Sequence, residues 1–241
     1  MADRGISFGS QADLYDRARP EYPAEAVAWM LPADARDVAD VGAGTGKLTS
    51  GLVAGGRTLT AVDPDAQMLA RLSRRLPGIR TLVGAGENLP LPDASMDAVV
   101  FGQAWHWVDP PRASAEVGRV LRPGGTLGLI WNIRDDAVAW VAELTEVMRP
   151  SDAEELISSG GPVVEEPFGP LELELFPWTA TFTVESLVEL AASRSYLITA
   201  TAERRDEVLA GVRALGERVA VDGTIAMPYV THAYRTIKPS D

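Results

Sequence analysis

The sequence has no cysteine and only two histidines, and these absences exclude several kinds of chemistry. Without cysteine there are no disulfides, thiolate zinc sites, iron–sulfur clusters or cysteine nucleophiles. His106 and His232 are too few for a histidine-rich metal site, so we expect no bound metal. The first 20 residues contain no apolar signal core, and no run approaches the roughly 20 apolar residues of a membrane span. We therefore expect a soluble, cytoplasmic protein.

Positive charge is scarce as well, because 22 lysines and arginines stand against 34 aspartates and glutamates, for a net charge of −12. Such an acidic surface repels phosphate backbones and anionic lipid head groups, so we expect neither nucleic acid nor membrane as a partner. Hydrophobic residues make up 46% of the chain, which is typical of a globular protein with a core. The composition leaves monomer and homodimer equally open.

Short apolar runs alternate with helical segments through the first half of the chain. Strand-like runs occur at 37–41, 58–62, 79–83, 96–101 and 126–131, and two further strand candidates follow at 171–183 and 227–238. Helices are predicted between them, the clearest at 47–56, 66–78 and 110–121, and later at 135–148, 184–193 and 203–220. Strands that alternate with helices pair in parallel, so the pattern predicts a doubly wound α/β fold with a mostly parallel seven-stranded sheet.

A glycine-rich turn, Gly42-Ala43-Gly44-Thr45-Gly46, follows the first strand. It is not a P-loop, because Val41 and Leu48 stand where that motif needs a glycine and a hydroxyl. It is not a standard dinucleotide fingerprint either, because its third glycine comes one residue early. Asp40, two residues before the turn, is poorly placed beside a pyrophosphate and suits a cationic ligand better.

Asp63 ends the second strand, about 20 residues beyond the glycine turn. At that spacing a carboxylate lies at the tip of the neighbouring strand, within reach of a ribose diol, which can donate two charge-assisted hydrogen bonds to it. The residues therefore predict an acidic crevice for an adenosine-like ligand that has no phosphates and carries positive charge. S-adenosylmethionine meets this description.

Together these motifs resemble the class I S-adenosylmethionine-dependent methyltransferases, and most closely their type 11 group. The segment Gln103-Ala104-Trp105-His106-Trp107-Val108-Asp109 and the opening 8–23 are similar to the trans-aconitate-methyltransferase-like subgroup. The resemblance implies one methyltransferase domain over 1–241, with an N-terminal lid segment (1–35), a cofactor-binding half (36–131) and a substrate-side helical insertion with the C-terminal strands (132–241). It also implies in-line methyl transfer to a small-molecule acceptor, at a carboxylate or hydroxyl oxygen.

The resemblance assigns a set of cofactor-binding residues. An acid often reads the adenine amino group in the wider family, but Ala85 stands at that position here, which leaves adenine to backbone groups of Ala85 and Gly86. Arg19 is expected to bind the methionine carboxylate, Met68 to pack on adenine, and Glu87 has a loop carboxylate as its alternative role. The full set is Tyr15, Arg19, Asp40, Gly42, Ala43, Gly44, Gly46, Asp63, Pro64, Met68, Ala85, Gly86, Glu87 and Gln103.

The acceptor side is expected to contain aromatic residues and an arginine. Trp105, His106, Trp107 and Trp131 follow the fourth and fifth strands, where they form either an aromatic wall around the sulfonium or a hydrophobic core under a lid. His106 is the candidate base for a hydroxyl acceptor, and Arg194 is a candidate substrate ligand. A nicotinamide-dependent oxidoreductase and a non-catalytic cofactor-binding protein remain the alternative functions.

Overall fold

The structure is a computed structural model that describes residues 19–53, 56–198 and 200–240. Its strands are β1 (Asp37–Val41), β2 (Thr58–Asp63), β3 (Arg80–Val83), β4 (Met96–Gly102), β5 (Leu121–Arg134), β6 (Glu172–Phe182) and β7 (Ile225–Ile237). They form a seven-stranded sheet of order β3-β2-β1-β4-β5-β7-β6. The strands β1 to β5 pair in parallel, and β7 pairs antiparallel with both β5 and β6. The predicted doubly wound fold is confirmed.

Helices connect and cover these strands. They are α1 (Ala24–Met30), α2 (Lys47–Leu52), α3 (Ala66–Arg75), α4 (Pro110–Val120), α5 (Ala139–Met148), α6 (Asp152–Ser158), α7 (Val184–Ala192), α8 (Ser195–Ile198) and α9 (Ala202–Val219). Asp109 caps α4, because its side chain accepts a hydrogen bond from the Arg112 backbone N–H at 3.1 Å. Within the described residues, no helix combines the length and the apolar character that a membrane crossing requires.

Alternate residues of the central strands face opposite layers of helices. Val38, Val100 and Ile130 pack against α1 and α2, whereas Val99 and Leu129 pack towards α4. A further buried cluster joins α5, α7 and α9 to β6 and β7. The period of two along each strand therefore fixes which side chains support each layer.

The strand order reverses between β1 and β4, which are neighbours in the sheet. At such a switch point the connections leave in opposite directions and open a crevice outside the carboxyl ends of the strands. The loop after β1 and Gln103 after β4 both lie at this crevice. The topology thus brings the glycine turn and the segment that follows β4 to one place.

The structure differs from the sequence-based predictions at a few elements. Helix α5 begins at Ala139 rather than at 135, and β5 extends over 121–134 rather than 126–131. The short helices α6 and α8 were not predicted. A signal for α6 was present, because Ser151 and Glu154 form a capping box in which each side chain accepts a hydrogen bond from the other's backbone N–H.

Candidate functional site

An open cleft lies at the switch point and extends from the glycine turn to the far ends of β5 and β7. Its cavity volume is about 100 Å³, or about 860 Å³ when the open solvent at its mouth is included. At one end it is lined by residues 42–45, and at the other by Arg134, Glu154, Arg194 and Tyr229. One cleft therefore spans both the predicted cofactor loop and the C-terminal segments.

The first two glycines of the turn, Gly42 and Gly44, both have left-handed backbones, and Gly42 also has no room for a side chain. Gly42 has φ +68°, and a Cβ there would lie 2.5 Å from the Cβ of Ala104. Gly44 has φ +54° with nothing within 4 Å of its would-be Cβ. Both backbones occupy the left-handed region that L side chains rarely adopt. The turn thus presents bare backbone to the cleft.

Asp63 lies directly behind this turn and holds it in place. Its carboxylate accepts hydrogen bonds from the backbone N–H groups of Gly44 and Asp65, both at 2.8 Å. Burial raises the pKa of Asp63, while these two hydrogen bonds oppose the rise. A carboxylate offers about four lone-pair sites, so acceptor capacity remains for the two hydroxyls of a ribose diol.

Asp40 is a buried carboxylate with one oxygen left over. It is 1% exposed, and its Oδ2 accepts a 2.6 Å hydrogen bond from the Thr49 hydroxyl. Its Oδ1 is buried and has no hydrogen-bond partner among the described residues. Burial raises the pKa of Asp40 to about 7, and the nearby Asp63 adds to the rise. Because buried polar atoms are almost always paired, this oxygen fits a ligand that brings a donor, such as an ammonium group.

The charge of the cleft corrects the expectation of an acidic crevice. Its lining contains the basic residues Arg19, Lys47, Arg134 and Arg194 and the two carboxylates Asp40 and Glu154. The net charge of −12 therefore belongs to the chain as a whole, whereas the described cleft carries an excess of cations. Arg19 lies where it was predicted, at the cleft.

The remaining predicted cofactor residues lie outside this lining and stay predictions. Met68 is buried on α3, and Pro64 follows Asp63 at the end of β2. Ala85 forms an isolated β-bridge with Asn88, and Gly86 follows it, at the same edge of the sheet. The Glu87 carboxylate accepts a hydrogen bond from the Asp109 backbone N–H at 2.8 Å, which supports its alternative role as a loop carboxylate. Tyr15 lies outside the described residues.

Two of the four residues predicted to form an aromatic wall, Trp105 and Trp131, lie in the hydrophobic core instead. Trp105 is 2% exposed and packs edge-on against Phe101 with ring centroids 4.9 Å apart, while Trp131 is fully buried against Tyr234. Both belong to the hydrophobic core, and neither lines the described cleft. The indole N–H of Trp105 donates to the Val163 carbonyl oxygen at 2.9 Å, which pins the 159–171 loop over that core. The alternative prediction, a core under a covering segment, is the one the structure shows.

His106 is held by a neighbour rather than directed into the described cleft. Its Nδ1 lies 3.3 Å from the indole Nε1 of Trp131, which donates to it, and Trp107, 38% exposed, packs beside its ring. A neutral imidazole that accepts at Nδ1 carries its proton at Nε2, so no free nitrogen is left to act as a base. Burial lowers the pKa of His106 to about 4, and the positive charge of Arg19 contributes. The catalytic role of His106 stays a prediction, and this hydrogen-bond geometry argues against it.

Gln103 follows β4 and lies between the two ends of the cleft. It has φ +55°, unusual for a residue other than glycine, and its side-chain N–H donates to the Asn132 carbonyl oxygen at 3.1 Å. Backbone strain of this kind is found preferentially at functional sites. The sequence-based prediction missed Asn132, Lys47 and Glu154 as cleft residues, and for Glu154 the capping-box pattern at 151–154 was an available signal.

Comparison with known proteins identifies relatives over nearly the whole chain. A family model described as "Methyltransferase domain" matches residues 39–129. The chain is 47% identical to an uncharacterized methyltransferase of Mycobacterium tuberculosis (strain ATCC 25618 / H37Rv), over 97% of this chain and 96% of that protein. It is 37% identical to a malonyl-[acyl-carrier protein] O-methyltransferase of Pectobacterium atrosepticum, over 50% of this chain and 49% of that protein.

A solved structure shares the fold. It belongs to a candidate type II methyltransferase from Anaeromyxobacter dehalogenans and matches with a TM-score of 0.67 at 24% identity. The match covers 92% of this chain and 98% of that one. The seven-stranded architecture is therefore shared along almost its full length.

Proposed function

The chain belongs to the class I S-adenosylmethionine-dependent methyltransferases, and on that basis we propose that it methylates an oxygen of a small-molecule acceptor. The acceptor oxygen is a carboxylate or a hydroxyl, and the chain falls in the trans-aconitate-methyltransferase-like subgroup. An oxygen acceptor is supported by the relative whose name describes an O-methyltransferase.

The observation that carries the donor site is the pair of buried carboxylates behind the glycine turn. The Asp40 Oδ1 atom has no partner among the described residues and matches the ammonium of the cofactor's methionine end. Asp63 retains acceptor capacity for the ribose diol. Arg19 and Lys47 line the same cleft and supply positive charge for the methionine carboxylate.

When bound, the cofactor supplies a methyl group activated by a sulfonium, so the protein's own work is to bind and orient the reactants. The glycine turn and Asp63 fix the donor, and Gln103 lies between the donor end of the cleft and its far end. Holding two reactants in line contributes about 7–11 kcal/mol to such a reaction. A carboxylate acceptor is already ionised and needs no base, which suits a cleft whose described lining contains no histidine.

The donor assignment is tested by binding of S-adenosylhomocysteine measured calorimetrically. Asp63→Ala is expected to weaken binding by about 2–3 kcal/mol, the cost of a lost hydrogen bond to a charged group. Asp65→Asn is the matched control, because asparagine keeps the helix cap that Asp65 provides for α3, and its affinity should stay within about twofold. Unchanged affinity in Asp63→Ala refutes the ribose assignment.

The reaction itself is tested with methyl-labelled cofactor and a panel of small carboxylic acids and phenols. Label is expected in an ester or ether product. Binding of NAD in place of S-adenosylhomocysteine would overturn the proposal, and a labelled amine as the sole product would overturn its oxygen acceptor.

A further inference from the structure

Three charged side chains from different segments meet at the end of the cleft far from the glycine turn. Arg134 ends β5, Glu154 lies on α6, and Arg194 follows α7. The two arginines are 4% and 9% exposed, and all three residues line the cleft. Buried arginines are uncommon, and one carboxylate cannot neutralise the charges of two guanidiniums.

Glu154 is saturated by its protein partners. Its Oε1 accepts from the Arg134 Nε at 2.9 Å and lies 2.8 Å from the Arg134 Nη2. Its Oε2 accepts from the Arg194 Nη1 at 3.1 Å and from the backbone N–H and hydroxyl of Ser151 at 2.8 and 2.9 Å. Burial works to raise the pKa of Glu154, but the two guanidiniums hold it at about 2. The carboxylate is therefore ionised throughout the physiological range.

One positive charge of this cluster remains uncompensated. Within the described ranges, Glu154 is the only carboxylate that forms an ion pair with either arginine. Burial, together with the charges of Arg134 and Arg19, lowers the pKa of Arg194 to about 10, and Glu154 offsets only part of this. Burying an unpaired charge is costly unless a partner is supplied. A cluster that opens to a ligand cleft obtains that partner from the ligand.

We propose that Arg134 and Arg194 bind a carboxylate group of the methyl acceptor, and that Glu154 is a positioning residue that holds both guanidiniums. This inference rests on the proposed function, since it names the chemical class of that acceptor. Lys47 directly follows the glycine turn and supplies a cation at the donor end of the cleft, whereas Arg134 and Arg194 pair with Glu154 beyond the carboxyl end of β5. The charge of Arg19 reaches Arg194, so Arg19 lies between these two groups of cations, and a second carboxylate can bind at the arginine pair apart from the cofactor's own.

A carboxylate suits the cluster better than a phosphate does. The cluster has a net charge of +1, which a single carboxylate neutralises, and a planar guanidinium matches a carboxylate with two parallel hydrogen bonds. A phosphate dianion would leave a net negative charge in the same buried place. The bound carboxylate is thus a recognition group, and the acceptor oxygen that takes the methyl lies elsewhere on the molecule.

The test is calorimetric binding of defined anions to the protein saturated with S-adenosylhomocysteine. The probes are benzoate and succinate, each with its neutral amide, and inorganic phosphate. At least one carboxylate is expected to bind and its amide not to bind. Arg194→Gln is expected to weaken that binding about tenfold or more, as for a lost charged hydrogen bond. Glu154→Gln is expected to tighten it, because the cluster then carries two uncompensated charges.

The two substitutions break the same ion pair, so they separate recognition from a structural role. An ion pair with only a structural role predicts that both variants lose affinity in parallel with melting temperature. Our inference predicts affinity changes of opposite sign, although both variants melt lower. Arg194→Lys, which keeps the charge but not the fork, should retain part of the affinity and serves if Glu154→Gln fails to fold.

The possible failures are distinguishable. If S-adenosylhomocysteine binds but no carboxylate does, or phosphate binds more tightly, the carboxylate subsite is wrong while the donor site stands. If the arginine variants lose S-adenosylhomocysteine affinity instead, the cluster binds the cofactor's own carboxylate and the inference is overturned. If the wild-type protein does not bind S-adenosylhomocysteine at all, the proposed function fails first.

Discussion

Replacing Asp40 with asparagine should make the ligand-free protein more stable at alkaline pH and bind its cofactor more weakly. The folded protein raises the pKa of this carboxyl to about 7, mainly through burial, from about 3.9 in an unfolded chain. Between about pH 4 and pH 7 the folded state therefore holds a proton that the unfolded state has lost. Stability falls as pH rises through this window and levels off above it.

The size of the effect follows from the two pKa values. Their difference corresponds to roughly 4 kcal/mol at alkaline pH, an upper bound because buried sites relax. Asp40→Asn removes the ionisation and should recover part of that energy above about pH 7, so its stability should vary less with pH than that of the wild type. Thr49→Val removes the hydrogen bond that lowers this pKa, and it should shift the stability loss to higher pH.

Cofactor binding should change the pKa of the Asp40 carboxyl in the opposite direction to burial. An ammonium placed at the unpartnered Asp40 Oδ1 lowers the pKa of this carboxyl, so binding of S-adenosylhomocysteine near pH 6 should release close to one proton. Calorimetry in buffers of different ionisation enthalpy measures that number directly. The release should vanish in Asp40→Asn and shrink in the wild type near pH 8. Equal proton release in both proteins, or an Asp40→Asn variant less stable than wild type at alkaline pH, would refute this account.

The other predictions concern the glycine turn and the histidine. Gly42→Ala should lower the free energy of unfolding, measured in urea, by about 2–3 kcal/mol, because the new Cβ meets the Cβ of Ala104 and the backbone is left-handed. Gly44→Ala should lower it by only about 1 kcal/mol, because only the backbone conformation is unfavourable there. A larger loss for Gly44→Ala than for Gly42→Ala would contradict the geometry. His106→Asn should reduce the methyl-transfer rate by less than about 10²-fold, the smallest usual contribution of a general base, because the Trp131 indole N–H donates to the Nδ1 atom. A larger loss of rate with an unchanged melting temperature would show that His106 acts as the base.

The fold could be predicted because its signals are local. The run Asp37–Val41 and the four apolar runs after it have strand length, and the segments between them have caps and breakers. An aspartate followed by two prolines is typical of a helix start, and the structure has Asp109 as the N-cap of α4. The short helix α6 has an equally local signal in the capping box of Ser151 and Glu154, which a search for apolar periodicity does not detect. The start of α5 was harder, because the residues before Ala139 have helical composition and end without a side-chain cap.

The positions of the two buried carboxylates Asp40 and Asp63 were predictable for the same reason, since both residues lie close to strand ends. The place of the tryptophans was not, because burial of the Trp105 ring depends on the 159–171 loop, whose position no periodicity encodes. The sign of the cleft's charge was harder still. Arg134, Glu154 and Arg194 come from three segments and are brought together only by packing of the C-terminal helices on β5 and β7. A net charge of −12 describes the whole chain, so it carries no information about the sign of the charge in one cleft.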